Sequence, residues 1–220
     1  MKKFLFLLFL VPFSLFLTSG CGGETQEKTP APEKKSVEQT PAPTSSSDKK
    51  ILVVYFSRTG EEYAVGNITK GNTEIVAEYI AQKTGADTFE IKPAKPYPDA
   101  YEPCTEIAKQ ELESNARPAL EKNIDSLAQY DTIFLGFPIW WSALPRVVVT
   151  FLEANDLSGK TIIPFCTHGG SGLANSEREI KDACPNAKVL DGLAVVGKSA
   201  QENFPSVQKD VDAWLKSHGY

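Results

Sequence analysis

The 220 residues include only four cysteines and two histidines. The cysteines, at positions 21, 104, 166 and 184, form no Cys-x-x-Cys pair and offer no zinc-ligand spacing, so no metal site is expected. No Lys/Arg-rich run is present: residues 50–220 carry 17 Lys/Arg against 23 Asp/Glu, and the whole chain has a formal charge of -5. That balance argues against nucleic acid as a partner. The uncharged N-terminal run, Phe4 to Leu17, has 14 residues, which suits a signal-peptide core better than a bilayer span. Residues 22–49 have no aromatic residue, and Val37 is their only large aliphatic. Such a segment cannot bury enough surface to offset its chain entropy, which excludes a packed fold there.

What is present divides the chain in three. Lys2 and Lys3 precede the apolar run, and Leu17-Thr18-Ser19-Gly20-Cys21 closes it. This ending resembles a bacterial lipobox, with Thr18 where Leu is usual; the resemblance implies that Cys21 is lipidated and becomes the mature N-terminus. Residues 1–20 are thus expected to be a lipoprotein signal peptide. Residues 21–49, with Thr-Pro-Ala-Pro at 29–32 and again at 40–43, read as a disordered tether with a coil span of roughly 30 Å. Residues 50–220 read as the folded domain. The expected location is a membrane-anchored lipoprotein on the periplasmic or extracellular face. Lys2-Lys3 is not a twin-arginine signal, so the chain is expected to cross the membrane unfolded and to acquire any ligand outside the cytoplasm.

With 41% hydrophobic residues the folded part has enough apolar material for one sizeable core. Ile51 to Phe56, Thr132 to Phe137 and Thr161 to Phe165 are short apolar runs of the kind buried on both faces of a parallel sheet. Thr88 to Ile91 and Val189 to Val196, the latter interrupted by Asp191-Gly192, add two more strands. Between them helices are expected at 73–84, stopped by Gly85, at 103–114, opened by Pro103, at 145–153 and at 175–184. A closing helix carries Val207, Val211, Trp214 and Leu215 on one stripe. Strands alternating with helices predict an α/β fold: an open, mostly parallel five-stranded sheet with helices on both faces. Ligands of such sheets bind beyond the carboxyl ends of the strands.

Three loops lie there. The first begins Ser57-Arg58-Thr59-Gly60 and closes as Lys70-Gly71-Asn72-Thr73 at a helix start, a set of hydroxyls, guanidinium and free N–H groups suited to a phosphate. Gly66 to Thr73 nearly spells a nucleotide-triphosphate loop, but Asn72 replaces its lysine, which removes the main counter-charge for β- and γ-phosphates. The second loop runs through Pro138, Ile139, Trp140, Trp141 and on to Pro145; two tryptophans between prolines suit stacking on a flat ring, and Trp140 is the ring expected to do it. The third, Thr167-His168-Gly169-Gly170-Ser171-Gly172, lets backbone groups approach a ligand edge closely.

Together these loops resemble the flavodoxin-like family, in its branch with an extended phosphate loop and a Pro-Ile-Trp-Trp motif, over roughly residues 50–217. The resemblance implies strand order 2-1-3-4-5 and non-covalent binding of flavin mononucleotide (FMN). It assigns Ser57, Arg58, Asn72 and Thr73, with Thr59 beside them, to the phosphate. Pro138, Ile139, Trp140 and Trp141 fall to the isoalloxazine, and Thr167, His168, Gly169, Gly170, Ser171 and Gly172 to its pyrimidine edge. The family's phosphate loop is usually unbroken, whereas here twelve residues, Glu61 to Asn72, separate Gly60 from Thr73. The function so implied is electron transfer with a redox partner protein or a small-molecule donor or acceptor. The alternatives are an FMN-dependent NAD(P)H or quinone reductase and a non-catalytic binding module on the same fold. A hydrolase built from Ser171, Asp191 and His218 is disfavoured because Leu173 breaks the G-x-S-x-G turn. Cys166, at a strand end, is expected to be a small buried residue, and one disulfide among Cys104, Cys166 and Cys184 is left open.

Overall fold

The computed structural model describes residues 50–220; the signal peptide, Cys21 and the tether lie outside them. The domain is built on a parallel sheet in which successive residues of a strand point their side chains into two separate cores. Strand β1 (Ile51–Tyr55) lies at the centre, between β4 (Asp87–Glu90) and β5 (Thr132–Pro138); β6 (Thr161–His168) follows β5. The far edge is one strand position filled in two pieces, β7 (Lys188–Val189) and β8 (Leu193–Val196), each pairing parallel with β6. The resulting five positions run in the expected order 2-1-3-4-5.

At the break in the edge strand the chain passes so close to β6 that only glycine fits at position 192. A Cβ on Gly192 would sit 2.9 Å from both Pro164 Cγ and the Pro164 carbonyl oxygen. The Gly192 N–H donates to Glu177 Oε1 at 2.8 Å, which supplies the bond that the interrupted ladder lacks.

Side-chain period sorts the core. Leu52, Val54, Phe56, Ile133, Leu135, Phe137 and Ile162 face one layer, where helix α3 (Arg146–Glu153) packs Val147, Val148, Phe151 and Leu152, and α4 (Ser176–Ala183) adds Ile180. Val53, Tyr55, Phe134, Ile163 and Phe165 face the other, against Val76, Ala77 and Ile80 of α1 (Asn72–Thr84) and the Val207–Leu215 stripe of α6 (Phe204–Ser217). Adjacent residues Val53 and Val54 are both fully buried, which happens only when both faces of a strand are covered. Gly85, left-handed at φ 67°, ends α1 as expected.

Several details differ from the sequence expectation. Helix α2 (Tyr101–Glu113) starts two residues before Pro103, which occupies the first turn, where its missing N–H would have no intrahelical partner. A short helix, α5 (Gly197–Glu202), precedes α6, and a hairpin of β2 (Gly60–Glu62) and β3 (Gly66–Ile68) fills the polar stretch after β1. Strand β6 runs through His168, three residues beyond the apolar run, because Thr167 and His168 continue the ladder with Val195 and Val196. Cys104, Cys166 and Cys184 are buried free thiols; burial pushes Cys166 up to about 12 and Cys184 up to about 11.

Gly136 on β5 is a packing requirement, since a Cβ there would lie 2.2 Å from Cζ of the buried Phe165 ring. Gly136→Ala is expected to destabilise the domain by about 1–3 kcal/mol through overpacking, measured as a lower urea midpoint at unchanged m-value.

Candidate functional site

At the carboxyl end of β1, Ser57 Oγ accepts the Glu74 N–H at 3.1 Å and so caps α1 from outside the helix. The approach is close enough to exclude any side chain at position 71: a Cβ on Gly71 would lie 2.0 Å from Ser57 Oγ. Thr73 is buried and shares a 2.7 Å hydrogen bond with Thr167, tying α1 to β6. With Glu74 satisfied by Ser57, the unpaired N–H groups at the head of α1 are those of Asn72 and Thr73. Their positive end is the anion-ready corner of the site. Thr59 is exposed.

Arg58 does not behave as the sequence predicts. Its Nε donates to Glu62 Oε1 at 2.6 Å, one terminal nitrogen to the Pro98 carbonyl at 2.6 Å, and the other to the Glu61 carbonyl and, at 3.4 Å, to that of Asp99. The β2–β3 insertion brings Glu62 one helical turn's worth of sequence from Arg58, and the guanidinium is consumed in holding hairpin and loop together. Burial pushes the Glu62 carboxyl above its ordinary value, and the Arg58 charge partly offsets this.

The Trp loop is built on a tight turn. Trp140 and Ala143 exchange backbone hydrogen bonds at 3.2 and 3.0 Å, and Trp141 and Ser142 between them are both left-handed, at φ 52° and 59°. Two consecutive non-glycine residues in that region are strained by about 1–3 kcal/mol each. The turn separates the two rings. Trp140, expected to be the stacking ring, is half-buried with Phe56 (5.3 Å, 89°) and Tyr97 (4.9 Å, 88°) edge-on against it. Trp141 is 53% exposed; its Nε1–H donates to the Thr105 carbonyl at 2.9 Å and Lys109 Nζ lies 5.7 Å from its ring centre. Both rings line the cleft, and Trp141 is the less covered of the two.

Thr167 and His168 end β6 rather than opening a loop. The Gly170 N–H donates to His168 Nδ1 at 2.9 Å, which places the proton of the neutral ring on Nε2; burial lowers the His168 pKa. Gly169 packs under Tyr63 of the hairpin tip, where a Cβ would come within 2.7 Å of Tyr63 Cδ1. Gly170, Ser171 and Gly172 do not line the cleft; His218 turns Nε2 towards the Asp191 carbonyl at 3.1 Å rather than to Ser171.

These parts enclose a cleft of about 450 Å³. Of the expected residues, Arg58, Asn72, Pro138, Ile139, Trp140, Trp141, Thr167, His168 and Gly169 line it; Ser57, Thr59 and Thr73 do not. The sequence reading missed Glu62 and Tyr63 of the hairpin, Tyr101, Cys104, Thr105 and Ala108 of α2, and Val196, Gly197 and Lys198 at the head of α5. Tyr63 had one legible signal, as the one aromatic residue of the insertion from Glu61 to Asn72. The large exposed apolar residues among the described ones, Tyr63, Trp141 and Val196, all line this cleft.

A family model described as flavodoxin matches residues 50–214. The chain belongs to the flavodoxin family. A Bacteroides uniformis crystal structure, provisionally described as a flavoprotein, is 34% identical, covers 76% of this chain and 98% of its own, and superposes with a TM-score of 0.59. A second, from Bacteroides eggerthii and described in the same way, is 31% identical over 73% of this chain and 98% of its own, at TM-score 0.55. A Lactobacillus acidophilus flavoprotein in complex with FMN is 22% identical, covers 70% of this chain and 97% of its own, and shares the fold at TM-score 0.55. No curated protein sequence matches.

Two outcomes follow from this geometry. Trp140→Ala should cost about 2–4 kcal/mol of stability by emptying the space between Phe56 and Tyr97, whereas Trp141→Ala should cost about 1 kcal/mol, both read by urea denaturation. His168, whose folded pKa is depressed, binds fewer protons folded than unfolded as pH falls below its ordinary value near 6.5. Its contribution to stability is present above that value and lost as pH falls through the folded pKa. Melting temperatures at pH 7.5 and 5.5 should therefore differ less for His168→Asn than for the wild type.

Proposed function

We propose that this flavodoxin-family protein binds FMN and carries electrons while tethered to a membrane outside the cytoplasm. The observation that carries the reading is one cleft that combines an anion-ready helix start with an apolar, aromatic wall at the carboxyl ends of β1, β5 and β6. The residues fit the cofactor. The volume lies within the range of about 300–1,000 Å³ for small-molecule sites. The Asn72 and Thr73 N–H groups suit a phosphate. Ile139 and Trp141 offer a flat wall, and Thr167 to Gly169 a polar edge. The same fold holds FMN in the Lactobacillus acidophilus flavoprotein.

When bound, FMN supplies the redox chemistry. The protein's own share is positional. Trp141, fixed by Thr105, gives a ring face and shields it from water on one side. His168 holds its proton at Nε2, directed by the Gly170 N–H, and remains neutral near pH 7. The mouth, rimmed by Tyr63, Trp141 and Val196, leaves an apolar approach for a redox partner. The location rests on Lys2-Lys3, the apolar run and Cys21, and the tether of residues 21–49 gives the domain reach from the surface.

Titration of the chain lacking residues 1–21 should give an FMN dissociation constant below about 10 μM, with riboflavin weaker by about 1.5–3 kcal/mol; equal affinities would remove the phosphate assignment. With FMN bound, NADH or NADPH oxidation by a quinone should be negligible without a partner reductase, and turnover above about 1 s⁻¹ would make the protein a reductase instead. Metabolic labelling with a fatty acid should mark the wild type and not Cys21→Ser; an unlabelled, soluble wild type would end the membrane assignment.

A further inference from the structure

Among the described residues lining the cleft, two are permanent cations, Arg58 and Lys198, and they are held in opposite ways. The Arg58 side chain is 9% exposed and its donors are spent on Glu62 and on the carbonyls of Glu61, Pro98 and Asp99. Lys198, on the first turn of α5, is 54% exposed, and its partner is Glu202 of its own helix at 3.7 Å. An exposed pair of that kind constrains a side chain little.

The head of α5 is fastened to the head of α1. Gln201 Nε2 donates to the Lys70 carbonyl and to Asn72 Oδ1, both at 2.8 Å. Gly197 sits so near Asn72 that a Cβ would fall 2.8 Å from Asn72 Nδ2. Asn72 is 9% exposed and lines the cleft; Gln201 occupies its Oδ1, while its Nδ2 donates to no group among the described residues. A nine-tenths buried amide with a spare donor and two free backbone N–H groups thus share one corner, and Lys198, which lines the same cleft, directly follows the Gly197 packed on it.

We propose that Lys198, and not Arg58, supplies the counter-charge for the ligand's phosphate, and that Arg58 is a positioning residue for the ring wall. The proposal rests on the reading of the ligand as a phosphate-bearing flavin. A phosphate monoester carries about 1.5–2 negative charges at neutral pH; a lysine meets it as a flexible point charge, while Asn72 and Thr73 supply directed hydrogen bonds. Arg58 acts at a distance. It grips the Pro98 and Asp99 carbonyls, and Glu61 Oε2 accepts the Tyr101 N–H at 2.9 Å, so the hairpin fixes the entry into α2. Four residues into α2, Thr105 holds Trp141. Loosening Arg58 therefore loosens the platform, whatever the ligand's charge.

The test uses the full chain in detergent, with FMN, riboflavin and inorganic phosphate as probes. Lys198→Gln should weaken FMN by about 3- to 10-fold, leave riboflavin unchanged, and abolish most of the salt dependence of the FMN preference. Arg58→Gln should weaken both flavins by the same factor and leave their ratio intact. Because Arg58→Gln can fail to fold, Glu62→Gln provides a second arm: a positioning role predicts equal weakening of both flavins, whereas a phosphate-binding Arg58, once released, would raise the preference for FMN. A ratio unchanged in Lys198→Gln, or collapsed in Arg58→Gln, overturns the proposal. Amide NMR shifts on adding inorganic phosphate separate it from the flavin reading. Shifts at Asn72, Thr73 and Lys198 that vanish in Lys198→Gln uphold the assignment even if no flavin binds; if phosphate moves none of them, the assignment falls even where FMN binds.

Discussion

Everything in this domain depends on the burial of β1, β5 and β6 on both faces. Neighbouring residues such as Val53 and Val54, or Phe134 and Leu135, are all excluded from water, and a strand of that kind needs a helical layer above and another below. Helices can reach both layers only by crossovers that leave the sheet at its carboxyl edge and return at the other. The loops after β1, β5 and β6 are thereby brought to one edge, although their first residues are separated by up to 113 positions in sequence, from Phe56 to Gly169. The cleft is a consequence of that convergence rather than of any one motif.

Within the convergence, small residues and strained turns set the distances. Gly71 lets α1 seat its first turn on Ser57, Gly136 leaves room for Phe165 under the β5–β6 pair, and Gly169 makes space for Tyr63. The left-handed pair Trp141-Ser142 leaves one indole exposed and the other half-buried against the core. Strain at such a turn persists because the neighbouring structure over-determines it; here Thr105 and the Asn175 N–H to Ser142 carbonyl contact hold it from two sides. The inserted hairpin is held equally firmly, by Arg58, by Asp99 and by the start of α2. An insertion into a phosphate-type loop has become a wall of the site without breaking the loop's own geometry, since Ser57 still caps α1.

The apolar runs, their β-branched content and their alternation with helical stripes carried the strands, the cover on both faces of the sheet and the position of the binding edge, because those features depend on local period and burial and a single sequence records both; the strand order followed from the resemblance of the three loops to the flavodoxin-like family. The glycine stop of α1, the Pro-Ile-Trp-Trp segment and the Ser57-to-Thr73 corner were legible for the same reason. Other features were decided only when distant segments met. Arg58 looks like a phosphate ligand until Glu62, Pro98 and Asp99 surround it, and side-chain partners contributed from forty residues away leave no mark at position 58. Trp140 and Trp141 are identical in sequence terms; Phe56 and Tyr97 take one, and a left-handed turn frees the other. Tyr101, Cys104 and Lys198 entered the site through the docking of α2 and α5, whose contact surfaces belong to no local pattern. Sequence alone thus determined which edge of the sheet binds, through periodicity; tertiary packing decided which side chains remain free to do the binding, because a donor or a ring is available only if no neighbour in the fold has already claimed it.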